Sequence, residues 1–537
     1  MRATKMEKAI SKTQLLLAAA LAVAFVLTPA ANAAAPGITG PTFNLQAYTA
    51  FLNQPDGSGI YSWGYGCTTT PTGFAPRPGG ANLANANCPT MQVPGPTLIV
   101  TEGNTVTVTL TNNLPPSAGN TSILFPGFTV ATSGGVAGLL TQEAAHGGTV
   151  TYSFTAGSPG TRAYYSGTQS DLQVEMGLYG AIIVLPKTIP TNCTSGLSAA
   201  NLAVERAHGE LDFRLAPAAY DHAKTCYDRE YLFQFAELDS TIHRLALAQV
   251  VNAGSCTAGA AGCSLEVPTE PYHPAYFLIN GRSMPDDMDG NYAVEYPHQP
   301  YNGNPHMHPG ELTLIRVIGQ GHWQHPFHEH ANHVRILGRD GNLILSQTNA
   351  ADLAGPLQFT TTTTPGLAFD GIFYFTGKGL NWDMYGHNPS SSDPLAKLPC
   401  NPDANGYYTA ASTPAAPAAA INYYEWCQDH FKPVQANPFG DVQAGGPATL
   451  PDPDIFTNGA WYGGSMYLGP DATTRATGPT TNLLPSNSQA NPADERGFAY
   501  MWHSHNEREI TTNNVFPGGM LMMMLVDSRE FLIDESM

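Results

Sequence analysis

Charge is scarce in this 537-residue chain. Asp, Glu, Lys and Arg make up 12% of it, and Lys+Arg 23 against Asp+Glu 42 leaves a net charge of −19. A surface so poor in cations cannot neutralise a run of phosphates, which argues against nucleic acid or an anionic membrane as partner. None of the eight cysteines sits in a Cys-x-x-Cys pair, the spacing of a thiolate metal knuckle or a dithiol redox motif. Beyond the N-terminus no apolar run is long enough to span a bilayer, and no long amphipathic helical pattern stands out. Gly 54 and Pro 44 are dispersed along the chain, unlike a collagen or a low-complexity tract.

The first residues indicate a compartment. Arg2, Lys5, Lys8 and Lys12 precede an apolar stretch from Leu15 to Leu27, and Ala31-Asn32-Ala33 offers a small-residue cleavage site. This pattern predicts a signal peptide over 1–33 and a periplasmic or secreted mature protein. Cysteines in an oxidising compartment pair. Proximity favours Cys67–Cys88, Cys193–Cys226, Cys256–Cys263 and Cys400–Cys427, out of the roughly 105 connectivities that eight cysteines allow.

Short strand patterns bounded by Gly, Pro, Asn and Asp then fill two blocks. PGPTLIVTEGNTVTVTLTN (94–112) reads as strand, turn and half-buried strand, and VTYSFTA and GLYGAIIVLP repeat the signal. YFLING, ELTLIRVIG, HVRILGRDG, FDGIFYFTG and GGMLMMMLV form the second block. Such spacing indicates an all-β sandwich or barrel rather than βαβ units. The expected organisation is a first domain over 34–190, a disulfide-rich connection over 191–270 with one strand at Tyr231 to Phe235, and a second domain over 271–537. Within the last, the Pro-, Ala- and Ser-rich stretch 388–497 reads as a loop-rich insertion pinned by Cys400–Cys427.

Histidines carry the chemistry. In His325-Pro-Phe-His328-Glu-His330, strand alternation places His328 and His330 on one face. Trp502-His503-Ser504-His505 repeats the spacing. Two such pairs converging in one sandwich can hold a metal ion, because neutral imidazole ligates copper, zinc, nickel and iron. The alternative is a set of structural histidines.

These residues resemble a known family. HPFHEHANHVRILGRDG is similar to the H-P-x-H-x-H signature of multicopper oxidases, and WHSHNEREITTNNVFPGGM to their C-terminal H-C-H segment ending in Met. VPGPTLIVTEGNTVTVTLTNNL, GLYGAIIV and YFLINGRSMPDDM resemble that family's first-domain opening, its first-domain closing strand and a second-domain opening. The resemblance implies Greek-key cupredoxin sandwiches, copper as cofactor, and a small-molecule or metal-ion substrate. It implies a trimer as one possible assembly. The gap from Gly180 to His325 holds no full additional strand set, so two cupredoxin-like domains are expected.

The departures from the family bear on mechanism. At the first-domain ligand positions stand Leu124 and Pro126, and no histidine falls between Tyr165 and Gln169. Ser504 replaces the cysteine of the blue-copper site, Glu509 replaces its second histidine, and Met520 is a displaced axial candidate. A hydroxyl cannot replace the thiolate of a His₂Cys site, so conventional laccase chemistry is not expected. What remains for a metal is His325, His328, His330, His503 and His505. By resemblance, His330 and His503 share one copper, with His505 and His328 beside it, and the four could close on a single ion. Glu329, Glu507 and Glu509 could add an oxygen ligand, but acidic residues between histidines are expected to face solvent. His306-Met-His308 is expected in an exposed loop. Met520 to Met524 is expected to fill core at strand spacing. Ser504 is expected on the strand face opposite its flanking histidines, which excludes a Ser–His nucleophile. The functional expectation is an exported copper-binding protein, with a non-blue oxidoreductase as one form. Its alternatives are a metal-free cupredoxin scaffold and copper sequestration without catalysis.

Overall fold

The computed structural model describes residues 35–195, 209–378, 400–409, 425–427 and 497–527, with a few positions beside them. The segment 1–33 and most of the insertion, with His387 and His430, lie outside the described residues.

The first unit is two five-stranded sheets face to face. One runs Gly160–Tyr165, Tyr179–Leu185, Leu98–Thr101, Gly37–Thr39, Phe74–Ala75; the other runs Gly59–Cys67, Thr42–Asn53, Thr105–Asn112, Thr149–Thr155, Ala131–Gly134. The strand TVTVTLTN shows why. Val106, Val108 and Leu110 are buried while the threonines between them face out, as a half-buried strand requires. On the outer face Thr109 and Thr151 pair hydroxyl to hydroxyl at 3.1 Å across the ladder.

The second unit repeats the plan. One sheet is ordered Tyr276–Ile279, Arg229–Leu238, Leu312–Gly319, Ala368–Tyr374, Val334–Arg339, Asn342–Leu343. The facing sheet is ordered His306–Met307, Leu521–Asp527, Gly497–Ser504, His325–Glu329, Thr360–Thr363. Phe233, Phe327, Trp502, Met520, Met522 and Met524 interlock between them, so the methionines fill core as expected. The protein is all-β, two cupredoxin-like Greek-key sandwiches, and all four proximity-favoured disulfides are formed. Among the described residues no helix is long and apolar enough to cross a membrane.

Two features differ from the sequence expectation. Arg229–Leu238, inside the segment read as a connection, is a ten-residue strand in the second unit's sheet, parallel to Leu312–Gly319. Every residue of it is buried, so the alternation that marks a half-buried strand is missing. Ser240–Ala253 is a 14-residue α-helix where no long helix was expected. The Asp239 side chain caps it by accepting from Thr241 N at 2.8 Å, satisfying a free N-terminal amide. Ile242 and Ala246, one turn apart, join the first unit's core, a face too narrow to register as a periodic apolar pattern.

Candidate metal centre

The site is built on three neighbouring strands: His325–Glu329, with Gly497–Ser504 on one side and the edge strand Thr360–Thr363 on the other. Phe327 and Trp502 hold the first two together from inside, 6.0 Å apart with edge-to-face rings. Each such buried aromatic contributes about 1.5–3 kcal/mol of apolar burial. Alternation then sorts the motifs. Phe327, Glu329 and Trp502 turn inward, while His328 and His330 turn to the other face.

On that outer face the four expected histidines come together. His328 stands directly opposite His503 in the strand register. Its ring centroid lies 4.9, 5.6 and 4.8 Å from those of His330, His503 and His505. His328, His330 and His503 are 5%, 7% and 5% exposed, whereas the His505 side chain is 54% exposed and forms the mouth of the cluster. His503 Nδ1 donates to the Ser504 carbonyl at 2.6 Å, so its Nε2 carries a lone pair. That nitrogen lies 3.3 Å from His330 Nε2, which must then be the donor. The Nδ1 of His330 is buried with no hydrogen-bond partner. Burial, and then the nearness of the three other histidines, pushes the His330 pKa down to about 3. Burial lowers that of His503 as well.

One pair of these residues, His330 and His503, has the spacing of metal ligands. Burial favours the neutral form of His330 and His503, as ligation requires, and two nitrogens bound at about 2.0–2.1 Å to one tetrahedral ion lie about 3.3–3.4 Å apart. Among the described residues no group of three or more His, Cys, Asp or Glu side chains is placed so as to hold a metal ion. The cluster has one pair at ligand spacing, with His328 and His505 beside it.

His325 is separated from this group. It is fully buried, with Nδ1 2.9 Å from Glu509 Oε2 and Nε2 2.9 Å from Glu237 Oε2. Burial alone would lower its pKa, but the hydrogen bonds and charges of Glu237 and Glu509 raise it to about 9. An imidazolium donating from both nitrogens has none left for a metal. Ser504 points to the same side, donating to Glu509 Oε2. Asn506 Nδ2 completes Glu509 at 2.8 Å. Glu237 Oε1 accepts from His322 N at 2.6 Å and Trp323 N at 2.9 Å. Tyr272 OH lies between Glu237 and the first unit's Glu175, 2.7 Å from the latter. Where the family resemblance places a blue copper, this chain has a hydrogen-bonded ion cluster that reaches the inter-unit junction. Beside it a cavity of about 270 Å³, lined by Tyr165, Asp171, Val174, Gln320 and His322, opens between the sandwiches.

The acidic residues correct one expectation. Glu507 faces solvent, but Glu329 and Glu509 are fully buried. Strand parity aims Glu329 into the core, where Thr361 Oγ1 donates to Oε1 at 3.0 Å and Oε2 has no hydrogen-bond partner. Burial holds its pKa well above the usual carboxylate range. His306 and His308 likewise leave the expected exposed loop. They are 8% and 0% exposed, with His306 Nδ1 2.7 Å from Asp527 Oδ2 and His308 Nε2 on Glu210. In the first unit, Leu124 and Tyr165 bridge each other, with Leu124 N donating to Tyr165 O at 2.7 Å. The two segments that resemblance marks as ligand-bearing do meet, without histidine. Sequence reasoning missed Glu237, which lies 88 residues from His325; a charged residue inside an apolar strand was the available signal.

Residues 84–189 match the family model for multicopper oxidases. No curated protein sequence matches. Among solved structures, the chain is similar to the multicopper oxidase mgLAC at 15% identity, covering 90% of this chain and 85% of that one, TM-score 0.41. It is similar to the blue copper oxidase from Nitrosomonas europaea at 14% identity, covering 90% and 85%, TM-score 0.42. A copper nitrite reductase from the same organism shows 18% identity over 62% and 84%, TM-score 0.34. With the family match confined to the first unit and family-type histidine pairs in the second, the chain is multicopper-oxidase-like, its copper-site positions departing from the family's ligands.

Proposed function

We propose that this is an exported, copper-binding, multicopper-oxidase-like protein whose metal centre is the single group His328, His330, His503 and His505. The observation that carries the reading is the 3.3 Å approach of His330 Nε2 and His503 Nε2, two imidazoles whose burial favours the neutral form. Copper bound there would supply one-electron redox chemistry or a stored ion. The chain's own residues decide which uses are open. His330 and His503 hold the ion from within the wall, His505 admits it from solvent, and Phe359 shields the side above His328, 5.7 Å ring to ring. The His325 ion cluster makes an electron-entry copper next door unfavourable, so oxidation of a small molecule or metal ion would proceed at the one nitrogen-ligated centre.

Metal analysis after copper loading tests this. Wild type should retain one copper per chain, and a His328→Ala/His503→Ala variant should retain none. Equal content in both would favour the metal-free scaffold. Oxygen uptake with phenols, Cu(I), Fe(II) or Mn(II) separates oxidation from sequestration. A trimer, which rests on resemblance alone, is removed by light scattering that shows a monomer.

A further inference from the structure

We propose that the threonine strand Thr360–Thr363 is the positioning element of the histidine centre, with Thr360 holding His328 in the tautomer that offers Nε2 to the metal. The inference rests on the copper-binding reading of those histidines. The strand is the outer edge of its sheet and pairs residue for residue with the motif: His325 with Thr363, Phe327 with Thr361, His328 with Thr360. Its hydroxyls follow that register. Thr363 Oγ1 bridges the His325 backbone, 3.2 Å from both N and O. Thr361 Oγ1 donates to Glu329 Oε1 at 3.0 Å. Thr360 Oγ1 lies 2.6 Å from His328 Nδ1.

At that distance one group donates to the other. A neutral imidazole with its proton on Nδ1 keeps a lone pair on Nε2, and the reverse tautomer does not. His503, paired with His328 across the strands, is fixed in the first state by the Ser504 carbonyl, which can only accept. Thr360 is half-buried, so its own proton can turn toward solvent while its lone pair receives Nδ1–H. The two facing histidines then both present Nε2 to the same space. Ligand-orienting hydroxyls of this kind change metal affinity by roughly 10–100-fold when removed.

The test uses the full chain, with Thr360→Val removing the hydroxyl at nearly constant shape and Thr360→Ser keeping it. Thr362→Val, on the exposed side of the same strand, is the control. In metal-free protein with ¹⁵N-labelled histidine, wild-type His328 should carry its proton on Nδ1. In Thr360→Val that signal should lose its single-tautomer signature. Competition titration should show Cu(II) affinity falling roughly 10–100-fold in Thr360→Val, restored in Thr360→Ser and unchanged in Thr362→Val. Denaturation midpoints matched between the two valine variants would exclude unfolding as the cause. A His328 protonated on Nε2 in wild type, or Thr360→Val binding copper as tightly as wild type, overturns this inference while leaving the copper site standing. Wild type that binds no copper overturns the reading beneath it and the inference together.

Discussion

The two faces of one β-sheet carry histidines from the same two motifs and treat them in opposite ways. On the inner face His325, three residues before His328, is an imidazolium held between Glu237 and Glu509 with Ser504 alongside. On the outer face His328, His330, His503 and His505 gather ring against ring, with Thr360 and the Ser504 carbonyl among their hydrogen-bond partners. Spacing in the motif does not separate the two groups. Strand parity and the surroundings do: two carboxylates hold His325 as a cation, while burial, reinforced by neighbouring imidazoles, favours the neutral form of His330 and His503. One pair of strands therefore builds two histidine environments of opposite character.

The inner face should be the easier to break. Glu509→Ala strips His325 Nδ1, Ser504 and Asn506 of their shared acceptor, so it should destabilise the fold by about 3–5 kcal/mol, read as a lower denaturant midpoint. The pH dependence of stability sharpens the same contrast. The His325 pKa is raised to about 9 in the fold, so the unfolded chain releases its proton first as pH rises. The stabilisation is complete below an unfolded value of about 6.5 and is lost as pH climbs through about 9, an effect on the order of 3 kcal/mol. His330 carries the opposite sign. Its depressed pKa makes stability fall as pH drops below about 6.5 toward 3, because the unfolded chain takes up the proton first. Denaturation measured across this whole range should show both slopes, and His325→Gln should flatten only the alkaline one. The smallest effect belongs to Glu329→Gln. Burial raises the pKa of that carboxyl and favours its neutral form, so an amide of the same shape should cost under about 1 kcal/mol, against the severalfold larger loss at Glu509.

The outer face was legible in the sequence, and the inner face only in part. His-x-His spacing on strands determines which side chains share a face, and period two is enough to bring His328, His330, His503 and His505 to one patch. The core alternation of Met520, Met522 and Met524 and the local disulfide loops follow from equally short-range rules. Of the partners of His325, Glu509 falls at a ligand position of the motif, but Glu237 lies on a strand whose fully buried sequence hides its periodicity, and it could not be placed beside a histidine so distant along the chain. His306 and His308 were misread for the same reason: Asp527 and Glu210, which bury them, reach the site from far along the chain. Glu329 is a milder case. Parity alone aims it inward, but the general rule that carboxylates stay wet pointed the other way.

The central claim is that copper binds through imidazole nitrogen on the outer face and not through a blue site on the inner one. Optical absorption and EPR of wild type loaded with one equivalent of Cu(II) test it most directly. With Ser504 in place of a thiolate, the protein should show no intense absorption near ~600 nm and a wide copper hyperfine splitting of nitrogen and oxygen ligation. An intense band near ~600 nm with a narrow splitting would mean that a cysteine sulfur reaches the metal, and it would contradict the account.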